Sequence, residues 1–335
     1  MRKKIAVFVP SSANIGDSVH HKGLEYILDK VFPKESFSRH YIIQGRNYYH
    51  YDILRSDYSH IIIGGSPYIY GKFYETYKYG KEMRELLKVN KKAVKILCGA
   101  GSHFPEKYTV EDVIEDDARF LSELVDFYCD FDLIIVRDSL AKEIFDKAGL
   151  KAHLLPCPSV FIFRKYSKIK AKARRDVPVF IPKTASPSDM SPSILPPLKR
   201  CELEIIQQKV LERFSSLRVG IVYFEDFKFI QHLMGKKRVS IRKVIKFNSL
   251  LDLFNLLSRA KFVIAARVHS AIPASLLGIP SYLIPFDSRK RCVEFFNVKE
   301  IKSPEDICSY SLNRMSAEEI DKWEARYITL LRGCL

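Results

Sequence analysis

The chain has 335 residues, of which 47% are apolar and 28% are charged, and its formal net charge is +16. This composition excludes a disordered protein, and the length suits two domains better than one. No apolar run approaches the roughly 18 residues of a membrane-spanning helix, so no such helix is expected.

Apolar runs and helical periodicity alternate along the first half of the chain. The runs predict strands at residues 5–9, 60–63, 94–98, 133–136 and 153–155. A helix capped by Asp17 is predicted after the first strand, and Ser139 begins another helix that ends at Gly149. Continuous apolar strands separated by helices are typical of a parallel sheet that is covered on both faces.

A second series of the same kind follows a basic segment. Strands are predicted at residues 177–181, 218–223, 262–265 and 281–284, and helices at 200–213, 249–259, 270–277 and 316–331. We therefore predict an α/β protein with two Rossmann-like doubly wound domains that face each other across a cleft. The predicted units are an N-terminal domain (1–163), a basic linker (164–176), a C-terminal domain (177–312) and a C-terminal helix (313–335) that packs back on the first domain.

The cysteines and the N-terminus indicate the compartment. The seven cysteines are odd in number and widely scattered, and they form no CxxC pair. This pattern predicts neither a disulfide framework nor a zinc site, and it is typical of a reducing cytoplasm. The apolar stretch at residues 5–9 is too short for a signal peptide. We therefore predict a cytoplasmic protein without a metal site.

Two basic clusters contribute to the positive charge. Residues 164–175 and residues 228–246 each carry seven lysines and arginines. One interpretation is a solvated linker and surface loops. The other is attraction to an anionic surface, such as the inner leaflet of a membrane, where the protein would bind peripherally. No recognised nucleic-acid-binding motif is present, so no specific nucleic acid partner is expected.

Two glycine turns follow predicted strands and would line the cleft. In the first, Gly16 lets a ligand approach the backbone between Asn14 and Asp17, where a helix begins. The alternative is that this turn only caps the helix. In the second, Gly64 and Gly65 permit a tight turn or leave space for a ligand.

Ser66 ends the second turn, and a similar glycine pair lies within residues 99–101, with His103 beyond it. Both of these turns have the same structural alternative, and His103 is expected to be a surface-loop histidine.

An arginine follows the fourth predicted strand directly. Arg137 stands at the carboxyl end of a buried strand, where it points to the cleft better than to bulk solvent. Its guanidinium can form paired hydrogen bonds with a phosphate or a carboxylate. The alternative is an internal ion pair with Asp138 or with a carboxylate at a helix terminus.

The strand at residues 262–265 leads into Arg267 and His269. Residues two apart in an extended chain point to the same side, so these two side chains are predicted to share a site. An anion-binding cation beside a titratable imidazole is suited to general acid catalysis near neutral pH. The alternative is a core histidine that caps the next helix.

These motifs, in this order, resemble the polysaccharide pyruvyl transferase family. The resemblance extends over roughly residues 5 to 300 and is carried by residues 14–17, 62–65, 136–139 and 267–269, continuing through 277–287. It implies a fold like that of GT-B glycosyltransferases. It also implies transfer of the carboxyvinyl group of phosphoenolpyruvate to sugar hydroxyls, forming a pyruvate ketal, without a separate cofactor.

The resemblance assigns phosphoenolpyruvate to Arg137, Arg267 and His269. We expect His269 to be the general acid and the two arginines to bind the anion and the departing phosphate. The candidate substrate-binding residues are Asn14, Gly16, Asp17, Gly64, Gly65, Ser66, Arg289 and Lys290. The expected acceptor is a glycan or a lipid-linked saccharide.

The sequence departs from the family pattern at three positions. Ser66 replaces a third glycine, Cys157 replaces an aspartate before proline, and Phe286 replaces a tyrosine. These changes leave open a different acceptor, another transfer reaction or a loss of activity. The competing hypotheses are a nucleotide-sugar-dependent glycosyltransferase and a non-catalytic protein of this fold that binds anions or glycans.

Overall fold

A computed structural model of the chain describes residues 2–9, 15–43, 56–65, 68–70, 78–166, 177–183, 197–214, 216–222, 224–236, 241–247, 249–307 and 315–335. The first sheet contains β1 (Lys3–Val9), β2 (Phe37–Ile43), β3 (His60–Gly64), β4 (Val94–Ala100), β5 (Leu133–Val136) and β6 (His153–Leu154). The second contains β7 (Val177–Ile181), β8 (Leu217–Ile221), β9 (Ile241–Lys246), β10 (Ala260–Ala265), β11 (Ser281–Leu283) and β12 (Val298–Glu300).

Both sheets are parallel and doubly wound. The first has the strand order β2-β1-β3-β4-β5-β6, and the second has the order β12-β11-β10-β7-β8-β9. Every strand pair is parallel. The chain changes direction across the sheet between β1 and β3 in the first sheet and between β7 and β10 in the second. Ligands of doubly wound sheets bind at such switch points, outside the carboxyl ends of the strands.

Helices cover the sheets on both faces. In the first half they are α1 (Ile15–Val31), α2 (Lys78–Val89), α3 (Val110–Asp116), α4 (Phe120–Tyr128), α5 (Ser139–Lys147) and α6 (Ile162–Lys165). In the second half they are α7 (Pro197–Arg213), α8 (Phe224–Lys236), α9 (Leu250–Leu257), α10 (Val268–Leu276) and α11 (Ala317–Arg332). Short 3-10 helices span Pro158–Phe161, Ser288–Val293 and Pro304–Asp306. None of the helices among the described residues is both long and apolar enough to cross a membrane.

The predicted α/β class and the two parallel sheets are confirmed, but several elements were not predicted. Strands β2, β9 and β12 are all edge strands. An edge strand is partly exposed and carries polar residues, so it lacks a continuous apolar run. The second basic cluster falls partly in α8 and β9 rather than only in loops. Helix α1 begins at Ile15, which places Asp17 in its first turn instead of at its cap.

The C-terminal helix returns to the first half of the chain. The buried Tyr327 hydroxyl donates a 2.8 Å hydrogen bond to the Pro156 carbonyl oxygen. Glu324 of the same helix accepts from Tyr26 at 3.2 Å and pairs with Lys30. One apolar core continues from the first sheet through α1, α10 and α11 to the second sheet. This core fixes the two sheets relative to each other.

A second contact between the halves lies beside the site. The Ser288 hydroxyl accepts from the Phe104 amide at 2.9 Å, and the Ser288 amide donates to the Phe104 carbonyl at 2.9 Å. The Ser102 hydroxyl also donates to the Ser288 hydroxyl at 2.9 Å. The loop after β4 is therefore fastened to the segment that follows β11.

Candidate functional site

The two switch points face each other, and a side chain of one half touches the backbone of the other. Gly16 follows β1, and His269 lies in the first turn of α10, directly after β10. A Cβ atom built on Gly16 would lie only 2.5 Å from His269 Nδ1. The His269 ring therefore packs against bare backbone, which only glycine provides.

Arg137 follows β5 and is the most enclosed cation of the site. The side chain is 1% exposed. Its Nη1 lies 3.8 Å from the Cys157 sulfur, whereas Nε and Nη2 have no hydrogen-bond partner among the described residues. Burying an arginine with unsatisfied donors costs free energy. Such donors are suited to a bound anion.

Asp138 does not form the ion pair with Arg137 that was one of the alternatives. Its Oδ1 accepts from the Ala141 amide at 2.9 Å, so Asp138 caps α5. Its Oδ2 accepts from the Ser102 amide at 2.8 Å. Burial raises the pKa of Asp138, and the two amides oppose that rise. No carboxylate of the described residues lies within ion-pair distance of Arg137, although the Asp138 charge acts on it from farther away.

Arg267 is held in place by a buried carboxylate. Its Nη2 contacts both Asp226 oxygens, at 2.9 and 2.8 Å, and its Nε donates to the Pro182 carbonyl at 3.3 Å. The Asp226 side chain is completely buried. The extended geometry assumed for residues 267–269 applies to Arg267 only, because α10 begins at Val268. The Arg267 guanidinium is thus oriented, and its charge is partly compensated.

Burial and the positive groups around His269 together determine its charge. Burial, followed by Arg137, Arg289, Arg267 and Lys183, lowers the pKa of His269 well below 6.5. Its Nε2 has no hydrogen-bond partner among the described residues. His269 is therefore neutral at pH 7 when no anion is bound. An anion placed among these cations would oppose their effect and raise the pKa.

Arg289 and Lys183 converge on Asp287. The Arg289 backbone amide and Nε donate to Asp287 Oδ1 at 3.0 and 2.8 Å, and Lys183 Nζ lies 3.8 Å from Oδ2. Burial favours the neutral carboxyl, but Arg289, His103 and Lys183 together outweigh burial and hold the pKa of Asp287 well below its usual range. His103 is buried against the same carboxylate, at 3.6 Å, so its expected place in a surface loop is wrong. Lys183 Nζ also lies 3.8 Å from the centre of the Phe286 ring.

Comparisons with known proteins identify the family of this chain. The family model for polysaccharide pyruvyl transferase matches residues 14–288. The chain belongs to the polysaccharide pyruvyl transferase family. A comparison with curated protein sequences finds no match.

Solved structures of GT-B enzymes show the same fold at low sequence identity. The UDP-GlcNAc 2-epimerase of Methanocaldococcus jannaschii, in complex with UDP-GlcNAc and UDP, aligns with a TM-score of 0.57 and 13% identity, covering 98% of this chain and 99% of that one. MnaA from S. aureus, in a complex with UDP, aligns with a TM-score of 0.58 and 9% identity, covering 98% and 91%. The predicted GT-B-like fold is therefore confirmed.

The remaining candidate residues lie at different places in this family member. Gly64 ends β3, and Gly65 follows it beside the ring of His20. Asp17 lies near the buried Tyr68, whose pKa is raised first by burial and then by this carboxylate. Asn14 and Ser66 lie outside the described residues.

Lys290 is engaged elsewhere. Its ammonium group lies 3.3 Å from a Glu106 oxygen and 3.1 Å from a Glu300 oxygen. The two carboxylates already compensate its charge, so Lys290 joins the loop after β4 to β12.

Four residues that the sequence analysis did not single out belong to the surroundings of the site. They are His20, Lys183, Asp226 and Asp287. His20 stands one helical turn after Gly16, and Lys183 stands two residues beyond β7 at the second switch point. The position of Lys183 just beyond a strand end is a signal that the sequence contains, whereas the position of His20 is ordinary for a helix. No group of three or more potential metal ligands occurs among the described residues.

Proposed function

We propose that this chain transfers the carboxyvinyl group of phosphoenolpyruvate to hydroxyls of a glycan and forms a pyruvate ketal. Membership of the polysaccharide pyruvyl transferase family supports this reaction. The donor carries a carboxylate and a phosphate, and the site offers Arg137 from one half and Arg267 and Arg289 from the other. Cations on both sides of a cleft suit a ligand with two anionic ends.

The observation that carries the proposal is the unsatisfied guanidinium of Arg137. Its fixed fork of N–H donors matches the geometry of a phosphate or carboxylate. Arg267 and Arg289 already hold carboxylates, so their main contribution is the electric field and the shape of the cleft. Arg137 is accordingly assigned the direct contact with the donor.

The reaction needs a proton at the methylene carbon of the donor. We assign this proton to His269, which is neutral in the free protein and acquires a proton as the anion binds. His269 donates it to the methylene carbon, an acceptor hydroxyl bonds to the central carbon, and the hydroxyl proton is released. The carbon–oxygen bond to phosphate then breaks, and its electron pair goes to the phosphate. A second hydroxyl bonds to the central carbon to complete the ketal, and its proton leaves with the inorganic phosphate. One such proton-transfer group contributes about 10²–10⁴-fold in rate.

The test is a transfer assay in D₂O with phosphoenolpyruvate and the glycan pool of the source cells. The proposal predicts release of inorganic phosphate and a ketal methyl group that carries one deuterium. His269→Gln should lower the rate by about 10²–10⁴-fold. The matched control is His60→Gln, because His60 is buried at the amino end of β3, far along the strand from the switch point.

Other outcomes would redirect the assignment. A product that retains the vinyl group would show that the chain forms an enolpyruvyl ether and not a ketal. Release of a nucleoside diphosphate from a nucleotide sugar, with phosphoenolpyruvate untouched, would contradict the proposal and favour glycosyl transfer. An unchanged rate in His269→Gln would show that His269 is not the general acid.

A further inference from the structure

A second histidine lies behind the site, on the buried face of α1. His20 is 1% exposed, and neither of its ring nitrogens has a hydrogen-bond partner among the described residues. A buried histidine normally forms a hydrogen bond through at least one ring nitrogen. The proposed mechanism leaves this side chain without a role.

The position of His20 follows from the helix. Residues four apart on a helix share a face, about 6 Å apart along the axis. Gly16 is four residues before His20, and the His269 ring packs on Gly16. The two imidazoles, which we call the site histidines, therefore neighbour the same stretch of α1.

The carboxyl ends of the central strands enclose the ring of His20. A Cβ atom on Gly65, directly after β3, would lie 2.1 Å from His20 Nε2. A Cβ atom on Gly99, at the end of β4, would lie 3.1 Å from the same nitrogen and 2.6 Å from Pro158 Cδ. Glycine at both positions leaves room for an imidazole at the first switch point.

The charged groups that face His20 are cationic or neutral. They are Arg137 after β5, His269 on α10 and His21 on its own helix. Gly65 and Gly99 lie beside its ring, and Pro158 packs against Gly99. Burial, followed by Arg137, His269 and His21, lowers the pKa of His20 well below 6.5. His20 is thus neutral in the free protein, and no carboxylate among the described residues opposes these effects on its pKa.

We propose that His20 is a second donor-binding residue, which takes up a proton when an anion binds at Arg137 and then donates a hydrogen bond to that anion. The inference rests on the proposed function only for the identity of the donor. His269 remains the acid assigned to the methylene carbon, because His269 is partly exposed whereas His20 is fully enclosed. His20 therefore contributes to the affinity for the donor, whereas His269 contributes to the rate of turnover.

The test uses sulfate and phosphoenolpyruvate as separate probes of the full-length protein. Sulfate does not titrate near neutral pH, so a proton taken up on sulfate binding comes to the protein. Calorimetry at pH 7 in two buffers of different ionisation enthalpy measures that uptake. His20→Gln should lose part of the uptake and bind either anion about 10- to 100-fold more weakly. With phosphoenolpyruvate its KM should rise by a similar factor, while kcat changes only a few-fold.

A control and a second readout separate a binding role from misfolding. His60→Gln removes another buried histidine, whose ring contacts the Ser59 hydroxyl at 2.9 Å and the Cys334 carbonyl at 3.1 Å. This variant should keep the proton uptake. If His20→Gln does not fold, long-range ¹H–¹⁵N spectra of His269→Gln replace it. One histidine of that variant should still become an imidazolium when sulfate is added.

The outcomes distinguish this inference from the proposed function. If phosphoenolpyruvate is turned over but His20→Gln keeps wild-type affinity and proton uptake, His20 has no binding role and the function stands. If sulfate shows uptake that depends on His20, and phosphoenolpyruvate binds no better than sulfate, His20 binds anions and the proposed donor is wrong. Spectra of His269→Gln in which no histidine changes charge would also overturn the inference.

Discussion

Substitution of Gly16 by alanine tests the contact between the two halves. The new Cβ atom would lie 2.5, 2.8 and 2.9 Å from Nδ1, Cγ and Cβ of His269. The shortest distance is about 0.9 Å below the 3.4 Å at which ordinary contact begins (3.4 − 2.5). Rotation of the ring cannot relieve the clash with the Cβ atom of His269. The first turn of α10 must therefore move.

The expected cost is larger in activity than in stability. Overpacking costs about 1–3 kcal/mol, and alanine in place of helical glycine returns about 0.5–1 kcal/mol. The net loss in the free energy of unfolding is thus roughly 0–2.5 kcal/mol. A catalytic group misplaced by about 1 Å loses about 10²-fold in rate. We expect phosphate release from phosphoenolpyruvate to slow by about that factor.

The matched control is Gly235→Ala in α8. A Cβ atom on Gly235 meets nothing within 4 Å, so this alanine should raise the free energy of unfolding by about 0.5–1 kcal/mol and leave the rate unchanged. Urea unfolding and initial rates of phosphate release give both quantities for each variant. A Gly16→Ala protein with the wild-type rate would refute the packing of His269 on this glycine.

Three further predictions concern stability. Gly23→Ala should lower the free energy of unfolding in urea by about 2 kcal/mol or more, because the new Cβ atom would lie 1.9 Å from the Pro158 carbonyl oxygen. A variant with wild-type stability would contradict that packing. Tyr327→Phe should cost about 1–2 kcal/mol, since the Pro156 carbonyl loses its buried donor; an unchanged urea midpoint would show that this bond does not hold the C-terminal helix. Both site histidines have lowered pKa values, so the unfolded chain binds more protons than the folded one below pH 6.5. The free energy of unfolding should then decrease as the pH is lowered, by up to about 1.4 kcal/mol per pH unit for each histidine. Saturating sulfate should reduce that slope. A slope unaffected by sulfate would contradict the link to anion binding.

The sequence predicted the core of the site because of one physical rule. Parallel strands with buried faces are continuous apolar runs, and their carboxyl ends meet at one edge of the sheet. Gly16, Arg137 and His269 each follow such a run. Their convergence could therefore be anticipated from strand ends alone, before any contact was known.

Site residues that come from elements without a clear sequence pattern could not be predicted. Asp226 binds Arg267 from 41 residues earlier, in α8, which overlaps the second basic cluster. His20 has an ordinary place in a helical pattern, and only the glycines after β3 and β4 show that its ring faces the switch point. The importance of both residues depends on tertiary packing rather than on local sequence.

The role of the basic linker was also not predictable from the sequence. Lys165 pairs with Glu25 at 2.7 Å, and Arg164 pairs with Asp321 of the C-terminal helix. These cations therefore hold elements together instead of serving as free surface charge. Residues 167–176 lie outside the described residues, so attraction of this cluster to an anionic membrane stays a prediction.

The most direct test of the central claim is the affinity of phosphoenolpyruvate for the wild-type protein and for two Arg137 variants, measured by calorimetry. Arg137→Lys keeps the charge but loses the paired donors, and Arg137→Met loses both. The account predicts that phosphoenolpyruvate binds the wild type more tightly than inorganic phosphate or UDP-GlcNAc, that Arg137→Lys weakens this binding, and that Arg137→Met abolishes it. Equal affinity of phosphoenolpyruvate for the wild type and Arg137→Met, or tight binding of UDP-GlcNAc alone, would contradict it.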